Sequence, residues 1–323
     1  NASSATALAN TVTNSVSVGA NAANVDASTA LGNTQSNVGD VVATGGSVVG
    51  LDGFMGTGGD EPVGIDGSTV MVSENVSSSN AAGNQAQNTL TVAGANIVSG
   101  ATNTLAKIDS SGGADDNQAS AGNLLLNSQK NEGLITSTNT ANLVGINVDG
   151  TAGSQGPGAA VSGSTLGVTG NVTEARATAN LVLNSSIDIG GAGTSSLDAT
   201  AAIGNFQVND SVGTVKASAS TTTGISLTAA GAATGLDAGT AMVQGNSTLA
   251  LARGNVAENI LDASGSNVAS GTSPATLNSG TSPATGVLNA SFGVLNEQQQ
   301  RASVTAESLN TSYKVEMTDG QRS

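Results

Sequence analysis

Cysteine, histidine and tryptophan are absent from this sequence; tyrosine occurs once, phenylalanine three times and proline four times. Each absence closes off a kind of chemistry. Without Cys there are no disulfides and no thiolate metal sites. Without His there is no imidazole base and no imidazole ligand, so the common nucleophile–base couples cannot be assembled. Aromatic rings normally supply much of a core's buried area, yet the apolar residues here are chiefly Ala, Val, Leu and Ile. A thick core of such small side chains would contain voids, and voids are costly. A core only two side chains across would not, so the composition points to a flat or tubular β architecture.

Positive charge is also scarce. Eight Lys and Arg stand against 23 Asp and Glu, for a net charge of −15. No basic run is present, which excludes nucleic acid as a partner, because phosphate recognition needs basic stripes. The acidity is read as solubility and self-repulsion outside a cell. No apolar run reaches the ~18 residues that span a bilayer, so a membrane-spanning chain is not expected. Asn1 is read as a mature terminus left by signal-peptide removal, which places the chain outside the cell or on its surface.

Carboxylates are the remaining candidates for catalysis. The adjacent pairs are Asp60-Glu61 and Asp115-Asp116. Neighbouring residues on a strand face opposite ways, so neither pair reads as a glycosidase couple. The acidic loop around Asp52, Asp60, Glu61 and Asp66 reads as a solvated loop rather than a calcium site. The expectation is a protein that is not an enzyme and takes no cofactor and no metal.

Low complexity raises the question of disorder. Charged residues are only 10% and apolar residues 37%, with many Val, Ile and Thr; disordered chains are usually charge-rich and poor in β-branched residues. Short bursts of period-two alternation signal strands: Val12, Asn14, Val16 and Val18 share one face, and Tyr313, Val315 and Met317 share another. Asp-Gly pairs such as Asp52-Gly53 and Asp149-Gly150 mark turns. The best helical window, Asn296 to Leu309, also reads as strand.

The most informative pattern is a degenerate Asn-x-x-x-Asn, usually entered through Ala or Gly. Its clearest pairs are Asn10/Asn14, Asn33/Asn37, Asn84/Asn88, Asn123/Asn127, Asn180/Asn184, Asn205/Asn209 and Asn255/Asn259. Successive first Asn residues are 23, 51, 39, 57, 25 and 50 apart, which suggests coils of about 20–25 residues with variable loops, the length range of solenoid repeats. In a stacked coil identical amides lie about 4.8 Å apart and can donate and accept along a ladder. A small residue before the Asn permits a tight corner. Seven Gly-Asn pairs and no Asn-Gly pair occur. Asn-Gly is the favoured two-residue hairpin turn, so a hairpin meander is disfavoured.

The sequence therefore predicts an all-β solenoid over 1–286, with irregular loops near 50–67, 150–163 and 264–286. These loops hold all four Pro (Pro62, Pro157, Pro274 and Pro283). Residues 287–323 are more charged and hold Phe292 and the single Tyr. They are read as a strand-rich C-terminal cap or docking segment, with Phe292, Tyr313, Val315 and Met317 as assembly residues.

Gly83-Asn84-Gln85-Ala86 and Gly254-Asn255-Val256-Ala257 resemble the Gly-Asn-x-Ala core of bacterial secreted fibre repeats, as in curli-type and Fap-type functional amyloid subunits and holdfast-anchor proteins. The repeats here are less regular. The resemblance implies export, homopolymeric assembly outside the outer membrane, and a biofilm or adhesion role with the chain itself, a cell-surface anchor or a polysaccharide as partner. A second resemblance, of Ser28-Thr29-Ala30-Leu31-Gly32-Asn33 to trimeric autotransporter heads, implies a trimeric adhesin instead. A third reading is a monomeric solenoid that binds ice or a surface through Thr rows such as Thr221-Thr222-Thr223.

Overall fold

A computed structural model of the chain describes residues 1–19, 23–54, 65–99, 101–108, 114–150, 159–210, 212–229, 234–270, 275–278, 287–309 and 311–318. These residues are all-β and contain no helix, hence none long and apolar enough to cross a membrane. Asn296 to Leu309, the best helical window, is two stretches of strand broken by a bend at 301–303.

The strands follow one another in four coils. The first holds β1 (Ala2–Gly19), β2 (Asn24–Asp26), β3 (Thr29–Asn37), β4 (Val41–Phe54), β5 (Ile65–Asp66) and β6 (Thr69–Ser73). The second holds β7 (Val76–Ala93), β8 (Asn96–Val98), β9 (Asn103–Ile108), β10 (Ala114–Ala121), β11 (Asn123–Asn131), β12 (Ile135–Gly150), β13 (Ala159–Ser162) and β14 (Thr165–Thr169). The third holds β15 (Val172–Gly190), β16 (Ser196–Ala199), β17 (Ala201–Asn209), β18 (Val215–Ala229), β19 (Thr234–Asp237) and β20 (Thr240–Gln244). The fourth holds β21 (Ser247–Ser264), β22 (Val268–Ser270), β23 (Ala275–Asn278), β24 (Val287–Ala290), β25 (Phe292–Gln300), β26 (Val304–Ser308) and β27 (Ser312–Thr318).

Outside β9, β10, β23 and β24, the strands pair in parallel with their counterparts in neighbouring coils. The sheets run β1-β7-β15-β21, β3-β11-β17-β25, β4-β12-β18-β26, β2-β8-β16-β22, β5-β13-β19 and β6-β14-β20, and β27 also lies on β18. Parallel neighbours need a long crossover, and here the remainder of the coil supplies it. This is a β-solenoid.

The coil is much longer than the 20–25 residues expected. Asn10, Asn84, Asn180 and Asn255 are vertical neighbours separated by 74, 96 and 75 residues. Each of the first three coils carries the Asn motif twice, once on the β1-type strand and once on the β3-type strand, while the fourth carries it once, as Asn255/Asn259, with Asn296 and Gln300 on its β3-type strand. The irregular spacing therefore comes from alternating a short step and a long step around one large loop.

Inside the coil the core divides by side-chain size. Leu90, Val92, Leu125, Ile187, Ile189, Leu197 and Ile203 fill one lobe, and Val144, Ile146, Val148, Leu166, Ile225 and Leu227 fill the other. Between them lies a waist of Ala43, Ala81, Ala175, Ala177, Ala217 and Ala219 with Ile135 and Val215. Small residues let the two long walls approach, which is how a nearly ring-free sequence can close its interior.

A separate antiparallel sheet, β24-β23-β10-β9, joins insertions of the second and fourth coils. It packs Leu277, Ala119 and Ala121 against the outward Leu124, Leu126, Ala202 and Phe206, so every residue of β11 is buried. The expected boundary at 286/287 falls within the fourth coil: β25 continues the β17 register, and β26 and β27 continue that of β18. Of the expected loops, 55–64, 151–158, 271–274 and 279–286 lie outside the described residues, as do all four Pro.

Candidate functional site

The built feature of this molecule is a set of stacked amides at the junction between one aliphatic lobe and the alanine waist. On the β1-type strands the register skips Ala9, Gly83, Ala179 and Gly254. The inward phase shifts at this corner, and the next residue, always Asn, turns inside. A Cβ on Gly83 would press on the Ala179 carbonyl, which explains the small residue there.

Asn10 Nδ2 donates to Asn84 Oδ1 at 2.8 Å, Asn84 to Asn180 at 2.8 Å, and Asn180 to Asn255 at 2.7 Å. The second amide hydrogen of each goes across the coil to a backbone carbonyl, of Ser36, Lys130, Val208 and Gln299 in turn. Asn84 and Asn180 are fully buried. Burial of an amide is tolerated when its donors and acceptor are met, and this geometry meets them.

A second ladder on the β3-type strands runs Asn33 to Asn127 to Asn205 to Asn296, at 2.6, 2.8 and 2.6 Å. A third runs Asn37 to Asn131 to Asn209, at 2.7 and 2.9 Å. Two expected pairs are placed differently. In the second coil the stacked pair is Asn127/Asn131; Asn123 instead accepts from Thr29 and donates to Ser99. In the third coil one extra residue bulges the strand between Val182 and Ser185. Asn184 then takes φ 52° and is exposed, and Ser185 occupies its inward place. Asn14 donates to Asn88 at 2.9 Å below the bulge; at and above it the Ser185 Oγ and Asn259 Oδ1 are buried without partners among the described residues.

Two ladders were not anticipated. Gln35, Gln129, Gln207 and Gln298 stack between the two β3-type Asn columns, at 2.7, 2.9 and 2.8 Å. The sequence signal is Asn-x-Gln-x-Asn, present as 33–37, 127–131 and 205–209. At the start of the second, third and fourth coils Asn75, Asn171 and Asn246 stack at 2.8 Å. Each follows a left-handed residue, Glu74, Gly170 or Gly245, so here the Gly-Asn pair does form a corner.

The ladders have direction. Every Asn link described above donates toward the higher-numbered coil, whereas every Gln link donates toward the lower-numbered one.

The four assembly candidates lie on the last coil. Phe292 is half-buried against the Leu125/Ile203 lobe. Tyr313, Val315 and Met317 stack above Thr223, Ile225 and Leu227; they point inward but are 42%, 37% and 51% exposed, because no coil covers them. The Tyr313 hydroxyl meets Thr248 Oγ1 at 2.6 Å. Asp60 and Glu61 lie outside the described residues, and among the described residues no three acidic groups converge on a metal position.

No protein-family model matches the chain, and neither does any curated protein or any solved structure.

Proposed function

We propose that this protein is a structural subunit of an extracellular bacterial filament or surface-adhesion fibre, built by stacking solenoids end to end through their terminal strands. The observation that carries this reading is the contrast between middle and end coils. Ile203 and Leu227 are fully buried, while Val294 and Met317 in the coil above are 42% and 51% exposed on the same inward face. The strand edges of β1, β3 and β4 at one end, and of β21, β25 and β26 at the other, are likewise unpaired among the described residues. Long unpaired edges with an apolar inward face are templates for another chain. A contact between two unlike ends repeats without closing when the rotation allows, and the product is a filament. The scarcity of rings and the absence of thiols and imidazoles suit a scaffold whose cohesion is hydrogen bonding and thin packing.

The test is sedimentation and negative-stain imaging of the purified chain over a range of concentrations. Filaments one solenoid wide support the reading. A monomer at every concentration overturns it.

A further inference from the structure

We infer that the two ends of the solenoid are chemically complementary, so that a second copy seats its first coil on the fourth coil in one polarity and one register: Asn10 over Asn255, Asn33 over Asn296 and Gln35 over Gln298. This rests on the assembly reading above and specifies its interface.

The direction of the ladders carries the argument. On the fourth coil Asn255 uses one amide hydrogen on the Gln299 carbonyl at 3.0 Å, which leaves the other facing the open end. Asn296 accepts from Asn205, and its own hydrogens are unused among the described residues. On the first coil Asn10, Asn33 and Asn37 donate upward to the second coil, and their amide oxygens accept nothing among the described residues. In these columns one end thus presents Asn donors and the other Asn acceptors; the exposed Asn96–Asn24 link on β8 and β2 runs the opposite way.

The Gln column has the opposite sense and is complementary in the same pairing. Gln298 donates to Gln207 at 2.8 Å and keeps its oxygen as an acceptor; Gln35 keeps a hydrogen. The second amide hydrogen of Gln35, Gln129 and Gln207 goes to the carbonyl of Gln85, Leu181 and Val256, each in the next coil. In the register proposed, the residue that continues this series above Gln298 is Thr11 of the second copy.

Like ends fail on the same chemistry. First coil on first coil sets Asn oxygen against Asn oxygen, and fourth on fourth sets donor against donor. Charge leans the same way: residues 1–75 carry seven acids and no Lys or Arg, whereas residues 247–323 balance six acids with four of the eight cations. Contact between two first coils would bring together acids alone.

The absence of native Cys makes a cross-linking test clean. Ser17 and Asp188 are both Cα partners of Thr91, and Asp262 is the partner of Asp188. In the proposed register Ser17 of one copy therefore lies over Asp262 of another, at the neighbour-strand spacing, within the ~4.4–6.8 Å Cα reach of a disulfide. Under mild oxidation the S17C/D262C chain is expected to give a ladder of covalent oligomers on a non-reducing gel. S17C/E258C, displaced by four residues or about 13 Å, and S17C alone are expected to give none. Cross-linking of S17C alone means like ends meet, and equal cross-linking of the displaced pair means the register is not set by the ladders; either overturns the inference while assembly stands. If the unmodified chain sediments as a monomer, the assembly reading falls and takes this interface with it.

Discussion

Asn84 and Asn180 are 96 residues apart in the chain, and the amide of one donates to the amide of the other at 2.8 Å. Both are fully buried. The bond has a direction, because the remaining hydrogen of each is held by a carbonyl across the coil. This link, repeated up four coils, ties the registers of β1, β7, β15 and β21 together.

Asn127 and Asn184 separate ladder from surface. Asn127 is fully buried and donates to Asn205. Asn127→Asp removes that donor and buries an unpaired charge, so a loss of several kcal/mol is expected. Asn184→Asp lies on the exposed bulge, and a change within about 0.5 kcal/mol is expected. Chemical denaturation of the two variants checks the contrast; equal losses would remove the distinction drawn between them.

The bulge in the third coil leaves Ser185 Oγ and Asn259 Oδ1 unmet. Ser185→Asn restores an amide at the column of Asn14, Asn88 and Asn259, with Nδ2 directed at the Asn259 oxygen. Meeting a buried acceptor is worth about 1–3 kcal/mol, so the variant is expected to melt higher than the parent. A lower melting temperature would show that the bulge has no room for the longer side chain.

Gly50, Gly145 and Gly224 form a vertical column. A Cβ on Gly145 would run into the Gly224 backbone carbonyl, whereas one on Gly39 meets nothing within 4 Å. Gly145→Ala is therefore expected to force the coils apart locally and cost about 1–3 kcal/mol. Gly39→Ala is expected to be close to neutral. Melting curves of the two single variants decide.

Leu277 is fully buried and pins the antiparallel sheet onto Leu124, Leu126 and Phe206. Leu277→Ala opens a cavity there, with an expected cost of about 2–5 kcal/mol. Because the sheet joins insertions from the second and fourth coils, amide exchange in β11 is expected to rise in this variant. Unchanged protection in β11 would mean that the outer sheet is not what shields it.

Much of this was legible locally. The near absence of rings, the period-two alternation and the recurring Asn behind a small residue each constrain a few neighbouring positions, and local chemistry decides them: a thin core, strands, and amides that turn inward at a corner. The Asn-x-Gln-x-Asn string held the glutamine column in plain view. Tertiary structure alone decided which copies stack. Two Asn motifs within one coil look in sequence like two successive coils, because spacing along the chain does not say whether the chain has turned back upon itself. The shift from Asn123/Asn127 to Asn127/Asn131 and the exclusion of Asn184 came from register, which is set by packing the whole of β11 and β15 on both neighbours. The direction of the ladders came last, since an amide's orientation depends on which carbonyl lies across the coil, and that carbonyl belongs to a strand tens of residues away.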